Sequence, residues 1–501
     1  MRSLLTITAY SVLILGAGSA AIADDIPSHP SGLVFQELDF VPPTASEFRY
    51  ELSSGVPVYM APSHEFPLVT ITLSFKGGAY MEPEGNTGLA AMTGAIMRSG
   101  GSAMMSPSEL DEEFDFLAAN VSVGIGARTA NASINSLTEN LDDAFELFMD
   151  MVRNPRLDQD RFDVLLGQQL EALKNRDDNG LGIAIREIGF LMWGEDSFES
   201  RQPTKESLES ITIEDMRAFH NRIFNPSNLM VAVTGDFDET EMLAFLEKNF
   251  AGWTPGEESP DVPTPTHTFK PGVYYYEKDQ PQVQVLIGHR GVERDNPDAV
   301  AVEVMNDILG GSGFTSRITN TVRTREGLAY TAGSVMQPKV GYPGVFMSYF
   351  FTKVPTTALA TRLVFDEIHT IQQEAATTDE IETIENNIIE TFPRTFESKR
   401  GMMNLFMSDE RTGRPAEYWQ KYRDRVRSVG AEEVQRVAND YLHPDDAVIL
   451  IVGPWEEIKK GNAESEADPD RVATMDEFFG GKATQIPTRD PETLEPKETE
   501  D

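Results

Sequence analysis

The chain of 501 residues contains no cysteine. That absence excludes a disulfide framework, a thiolate zinc site, a cysteine nucleophile and a lipid anchor on an N-terminal cysteine. Positive charge is scarce: 42 Lys and Arg stand against 81 Asp and Glu, a net charge of −39. Such a surface repels nucleic acid and anionic membrane and keeps the protein soluble. It suits a salty or crowded medium and could favour basic substrates. Histidine is scarce as well. No pair among His29, His64, His220, His267, His289, His369 and His443 has the spacing of two metal ligands on one helix face. A long apolar run is also missing. Leu4 to Leu15 is mostly apolar but too short for a comfortable membrane span. It follows the basic start Met1-Arg2 and precedes the small-x-small site Ala21-Ile22-Ala23, then Asp24-Asp25. Residues 1–23 therefore read as a secretory signal peptide. The expected location is periplasmic or secreted, with no membrane anchor after cleavage.

What is present fits a globular protein: 40% of residues are hydrophobic and 25% charged. The length suits two domains of roughly 200 residues each. Val69, Ile71, Leu73 and Phe75 alternate with polar residues, which predicts a half-buried strand. Leu141, Ala144, Phe145, Phe148 and Val152 recur at helical spacing, which predicts an amphipathic helix on a sheet. One element occurs twice. Asn225–Gly235 and His443–Gly453 each run from a Pro turn through a hydrophobic strand to Gly, and each follows a helix with an acidic start. The order of these parts indicates duplication. The expected fold class is α+β, two similar domains, each a mainly antiparallel sheet covered by helices. The expected divisions are an N-terminal extension at 24–46, a first domain at 47–253, a Pro- and acid-rich linker at 254–271, a second domain at 272–459 and an acidic tail at 460–501. Few apolar residues occur in that tail. It is expected to be extended or disordered, apart from a stretch near Met475 to Phe479.

From Phe48 to Trp455 the chain resembles the M16 family of zinc metallopeptidases, the pitrilysin, insulinase and mitochondrial processing peptidase group. The resemblance begins with Leu52-Ser53-Ser54-Gly55-Val56 and Phe75-Lys76-Gly77-Gly78-Ala79-Tyr80, and continues at Gly88-Leu89-Ala90. In active members a His-x-x-Glu-His follows. Its two His bind zinc and its Glu activates water. Here the matching residues are Ala91-Met92-Thr93-Gly94-Ala95. Ala91 and Ala95 replace both imidazoles, and Gly94 replaces the general base. Glu171 falls about where the family's third zinc ligand stands; alone it holds no metal, and it reads as a helix-surface carboxylate. No metal is expected in this chain. Gly194-Glu195-Asp196-Ser197-Phe198 also replaces a segment that often reads His-Pro-Tyr in active relatives.

The second half keeps a family motif. Arg323 and Tyr330, in Val322-Arg323-Thr324-Arg325-Glu326-Gly327-Leu328-Ala329-Tyr330, match the family's Arg-(six residues)-Tyr pair. The resemblance implies that Tyr330 donates to the oxyanion of peptide hydrolysis and that Arg323 holds substrate carbonyls. Taken without the resemblance, Arg323 could pair with Glu326 and Tyr330 could be a strand aromatic. Leu309 to Arg317 contains Gly310, Gly311, Ser312 and Gly313. It lacks the Lys-Ser/Thr ending of a phosphate loop. It resembles the loop that handles substrate in two-subunit processing peptidases, and a flexible turn is the other reading. Asn120 to Ala127 matches the edge strand to which the family adds its peptide. Together these features imply a non-catalytic, substrate-binding subunit. Its expected partner is an M16 chain bearing His-x-x-Glu-His and the zinc, and its expected ligand is a peptide. A non-enzymatic scaffold or peptide-binding protein is the alternative.

Overall fold

Two six-stranded sheets organise the computed structural model, which describes residues 39–462 and 472–497. The signal peptide expected at 1–23 and residues 24–38 of the expected extension lie outside the described residues. The described residues from Pro42 onward form one compact unit. In its first half the strands are β1 (Arg49–Glu51), β2 (Pro57–Pro62), β3 (Leu68–Lys76), β4 (Asn120–Ile125), β5 (Thr129–Leu137) and β6 (Leu229–Gly235), ordered β1-β2-β6-β3-β5-β4. In the second half they are β7 (Gly272–Glu277), β8 (Gln282–Arg290), β9 (Ala329–Gln337), β10 (Val345–Lys353), β11 (Val448–Gly453) and β12 (Ala483–Ile486), ordered β12-β7-β11-β8-β10-β9. Strands β2, β6, β3, β5 and β4 thus recur in the same spatial order as β7, β11, β8, β10 and β9. The pairs β2–β6, β7–β11 and β7–β12 are parallel and the others antiparallel. The two segments read as one repeated element become β6 and β11, each central in its sheet. The duplicated α+β architecture is therefore present.

The principal helices of the first half are α1 (Leu89–Ser99), α2 (Leu141–Arg153), α3 (Gln159–Lys174), α4 (Gly180–Trp193) and α5 (Ile213–Ile223). Those of the second half are α6 (Ala299–Asn306), α7 (Thr357–Gln373), α8 (Thr378–Thr391), α9 (Lys399–Arg411) and α10 (Ala431–Tyr441). Val69, Ile71, Leu73 and Phe75 of β3 are fully buried and share one core with Ile96 of α1, Phe145 and Phe148 of α2 and Met216 of α5. Helix α5 starts where Thr212 and Asp215 form a reciprocal capping box that satisfies the first free backbone N–H groups. Among the described residues no helix is long and apolar enough to cross a membrane.

The two halves exchange a helix. α4 lies in the first half of the sequence but packs on β8 and β11 of the second sheet. There Ile183, Ile188 and Met192 meet Leu286, Val448 and Leu450. In return α9, from the second half, packs on β2 and β6 of the first sheet. Its Phe406 sets its ring 6.3 Å from Tyr59, on the face opposite the β3 core. This explains why β6 and β11 read as continuous apolar runs: each is covered on both faces. The segment 254–271 contains no helix or strand before β7, yet it is fastened to the first half. The Ser259 N–H donates to Asn228 Oδ1 at 2.7 Å, and Lys76 meets Glu258 at 3.0 Å and Asp261 at 2.9 Å.

The acidic tail departs from expectation in part. Its described part adds β12 to β7 and inserts Ile486 into the cluster under α4, beyond the stretch near Met475 to Phe479, where Met475 and Phe478 are buried as expected. Arg489 then reaches Glu187 of α4, at 3.2 Å, and Glu195, at 2.6 Å. Glu187 is 1% exposed. A buried carboxylate needs this compensation, and one strand of ladder bonds plus one apolar anchor outweigh the tail's low average hydropathy.

Candidate functional site

Helix α1 holds the positions where the family carries its zinc motif. Ala91 is exposed, Ala95 half-buried and Gly94 buried. Methyl groups and a hydrogen provide neither a lone pair nor a base, so these residues do not fit a metal. The replacement is more than a deletion. A Cβ built on Gly94 would stand 3.0 Å from the Ile125 N and 3.2 Å from the Gly124 Cα, because the edge strand β4 leans onto α1 there. Gly94→Glu should therefore destabilise the fold by about 1–3 kcal/mol, since backbone rather than a flexible side chain must move. Chemical denaturation checks this against Ala91→Glu on the exposed face, where a change within about 0.5 kcal/mol is expected. Glu171 on α3 is exposed and pairs with Lys174 at 2.8 Å. Among the described residues, no three His, Asp or Glu side chains converge as a metal-binding group.

Arg323 and Tyr330 are brought together. Leu309–Gly310 lies in a π-helical turn, Asp307–Gly311, that continues α6; Arg323 lies in a second one, Thr319–Arg325. Such wide turns are rare and concentrate at functional sites. The backbone at Tyr330 is irregular as well. Phe351 pairs with Thr331 and Thr352 with Ala329, so Tyr330 is the extra residue of a β-bulge in β9, the edge strand. A bulge re-aims the side chain it carries. Tyr330 is 77% exposed, and no described residue hydrogen-bonds its hydroxyl. The Arg323 guanidinium lies 4.8 Å from the Tyr330 ring and 4.4 Å from that of Phe314, itself 65% exposed. Among the described residues no carboxylate pairs with Arg323; Glu326 is met by Arg325 at 3.5 Å. The pair borders a groove of about 430 Å³ with Gln282, Phe351 and Lys353. What this arrangement offers is an unengaged phenol and a guanidinium pre-set between two aromatic faces, donors suited to a carbonyl or oxyanion. Phe314 and the bulge were not read from the sequence. The phenylalanine is visible in Gly313-Phe314-Thr315, but its exposure is not.

The glycine loop divides into a packed and a free part. Gly310 is buried, and a Cβ on it would come within 2.4 Å of the Ser334 N on β9. Gly311 is exposed, Ser312 donates to the Asp307 carbonyl at 2.8 Å, and Gly313 takes a left-handed φ of 64° with open space around it. Asp307, at the start of this turn, is pushed up to about 6 by burial. In the folded state Asp307 keeps its proton between about pH 4 and 6, where the unfolded chain has lost it. Stability should thus fall as pH rises through that window, by about 2–3 kcal/mol from this group, and level off above it. Asp307→Asn should flatten that slope in denaturation curves recorded from pH 4 to 8.

The first half, residues 58–182, matches the family described as Insulinase (Peptidase family M16), and residues 210–388 match the Peptidase M16 inactive domain. Together these cover more than half of the chain. A protein of Helicobacter pylori named non-peptidase homolog YmxG is 22% identical over 402 residues, 79% of this chain and 91% of that protein. The crystal structure of a peptidase M16 inactive domain from Pseudomonas fluorescens superposes with a TM-score of 0.73 at 23% identity, covering 81% of this chain and 97% of that one. A Helicobacter pylori protease structure gives a TM-score of 0.70 at 19% identity, covering 83% and 100%. At these identities the structural likenesses establish the fold. With both halves matched in order, the chain belongs to the M16 peptidase family.

Proposed function

We propose that this chain is the non-catalytic, substrate-binding half of a two-chain M16 zinc endopeptidase of the periplasm or the medium. The observation that carries the reading is the bulged, exposed Tyr330 beside unpaired Arg323, in a chain whose α1 offers only Ala91, Gly94 and Ala95 at the family's zinc motif. A folded scaffold gains nothing from a strand irregularity that exposes a tyrosine and leaves a guanidinium without a carboxylate. In this reading the partner chain carries His-x-x-Glu-His and the zinc. Tyr330 O–H donates to the oxygen that gains charge as the peptide bond is attacked. Arg323 holds a neighbouring substrate carbonyl through its donor fork. The loop Gly310–Gly313, with Phe314 at its tip, borders the incoming peptide.

Affinity purification from the native host tests this. The expected companion is an M16 chain with His-x-x-Glu-His, and stoichiometric zinc should travel with that companion. Purification without any such chain would favour the second reading, a non-enzymatic peptide-binding or scaffold protein, to which the name of the Helicobacter pylori relative lends weight.

A further inference from the structure

Helix α9 covers only part of the second face of the first sheet. Beyond it the side chains of Thr72, Ser74, Asn131 and Ser133 line a cavity of about 1220 Å³, closed on the far side by α9. Four cations line that cavity, Lys76, Arg128, Arg400 and Arg411, against one carboxylate, Asp261. Two of the four are already neutralised. Lys76 meets Glu258 and Asp261, and Arg128 shares Glu199 with Lys339 at 2.6 and 2.8 Å. Arg400 and Arg411 have no carboxylate partner among the described residues. Arg400 reaches only the Ser133 hydroxyl, at 3.4 Å. Arg411 donates to the Ser74 carbonyl at 2.9 Å, and its Nη1 is buried without a partner. Burial without a counter-charge lowers Arg411 to about 10.

An unpaired donor on a buried guanidinium is unfavourable; Arg176, Arg186, Arg201, Arg290 and Arg317 also carry one, but Arg411 lines a cavity beside a second arginine that has no carboxylate among the described residues. Its presence here is informative because the chain has nearly twice as many acids as bases, 81 against 42. A carboxylate could have been supplied from many neighbouring positions. Cavities lined by one sign of charge also concentrate the opposite ion. The strands that floor this one offer hydroxyl and amide groups, beside apolar side chains such as Val123, Val262 and Met407. Ser122 to Gly126, of the edge strand β4 and the residue after it, also line it. The room exceeds what a single small carboxylate fills.

We infer that this cavity binds a carboxylate carried by an extended peptide, held by Arg411 and Arg400 between the first sheet and the exchanged helix α9. The anion site rests on the cavity itself; that its owner is a peptide rests on the function proposed above. It implies that the chain selects acidic segments, although its net charge alone would select basic ones.

The test uses the full chain without a partner and three fluorescent decapeptides of alternating valine with glutamate, glutamine or lysine. Alternation puts the variable side chains on one face of an extended peptide. Anisotropy at physiological ionic strength should show the glutamate peptide binding at least about tenfold more tightly than either other one, as expected for a charge-assisted contact. Arg400→Gln, an exposed position that leaves the fold alone, should remove most of that preference; Arg411→Met should do so as well, with a thermal melt reporting whether it folds. Equal binding of the glutamate and glutamine peptides would overturn the anion site and leave the proposed function standing. Binding of free glutarate at Arg400 with no affinity for the peptide would overturn the peptide assignment. Tight glutamate binding unchanged by Arg400→Gln would place the site elsewhere and overturn the inference.

Discussion

Replacing Tyr330 by Phe should lower peptide turnover of the two-chain complex by about 100- to 1000-fold, the loss typical of one preorganised oxyanion donor. The substitution removes a hydroxyl that no described residue bonds and keeps the ring that stacks on Arg323. Fold and assembly should therefore be unchanged. The loss should appear in kcat with KM little altered, because the donor acts on charge that exists only in the transition state. Arg323→Ala should behave differently. It removes the guanidinium that sits between Phe314 and Tyr330 and that would hold a substrate carbonyl, so KM should rise as well. Steady-state kinetics with the zinc-bearing partner, alongside size-exclusion analysis of the complex, separate these outcomes. Loss of activity with loss of the complex would make the pair an interface element. Full activity in both variants would leave the chain a scaffold.

Phe406→Ala should destabilise the whole chain by about 3–5 kcal/mol, the range for deleting a fully buried aromatic ring. Phe406 is 2% exposed and touches rings from both halves of the sequence: Phe48 at 6.0 Å, Tyr59 at 6.3 Å and Phe396 at 6.3 Å. It lies on α9, the helix that the second half lends to the first sheet. Since α4 is lent in the other direction, neither sheet keeps its second cover when the other half unfolds. Calorimetry should accordingly show one cooperative transition for both halves, shifted down in Phe406→Ala. Two separated transitions, with only one shifted, would show that the exchange does not couple them.

Much of this architecture is legible in the residues. The alternation at Val69–Phe75 is β3, the helical spacing at Leu141–Val152 is α2, and the repeated turn-strand-Gly segments are the central strands β6 and β11. These are local periodicities, and local periodicity survives folding when one face meets one core. The helix exchange is not local. Gly180–Trp193 is apolar on most sides, which says that it is buried but not against which sheet. The same limit hides Arg411, whose significance is the lack of a carboxylate around it rather than anything beside it in the chain. Strand β12 is hidden for a related reason: low apolar content misses a strand held by ladder bonds and by Arg489 on Glu187. At the candidate site the Arg and Tyr are plain in the sequence. The bulge that exposes Tyr330 depends on how β9 and β10 register, which no residue there announces.

The most direct measurement is a titration of this chain into a purified His-x-x-Glu-His M16 partner from the same host, following peptide cleavage. The predicted result is little cleavage by either chain alone, a rise that saturates at one chain per partner, and no rise when the added chain carries Tyr330→Phe although the complex still forms. A partner that is fully active alone, and whose rate is unmoved by this chain, would contradict the proposal that Arg323 and Tyr330 complete its site.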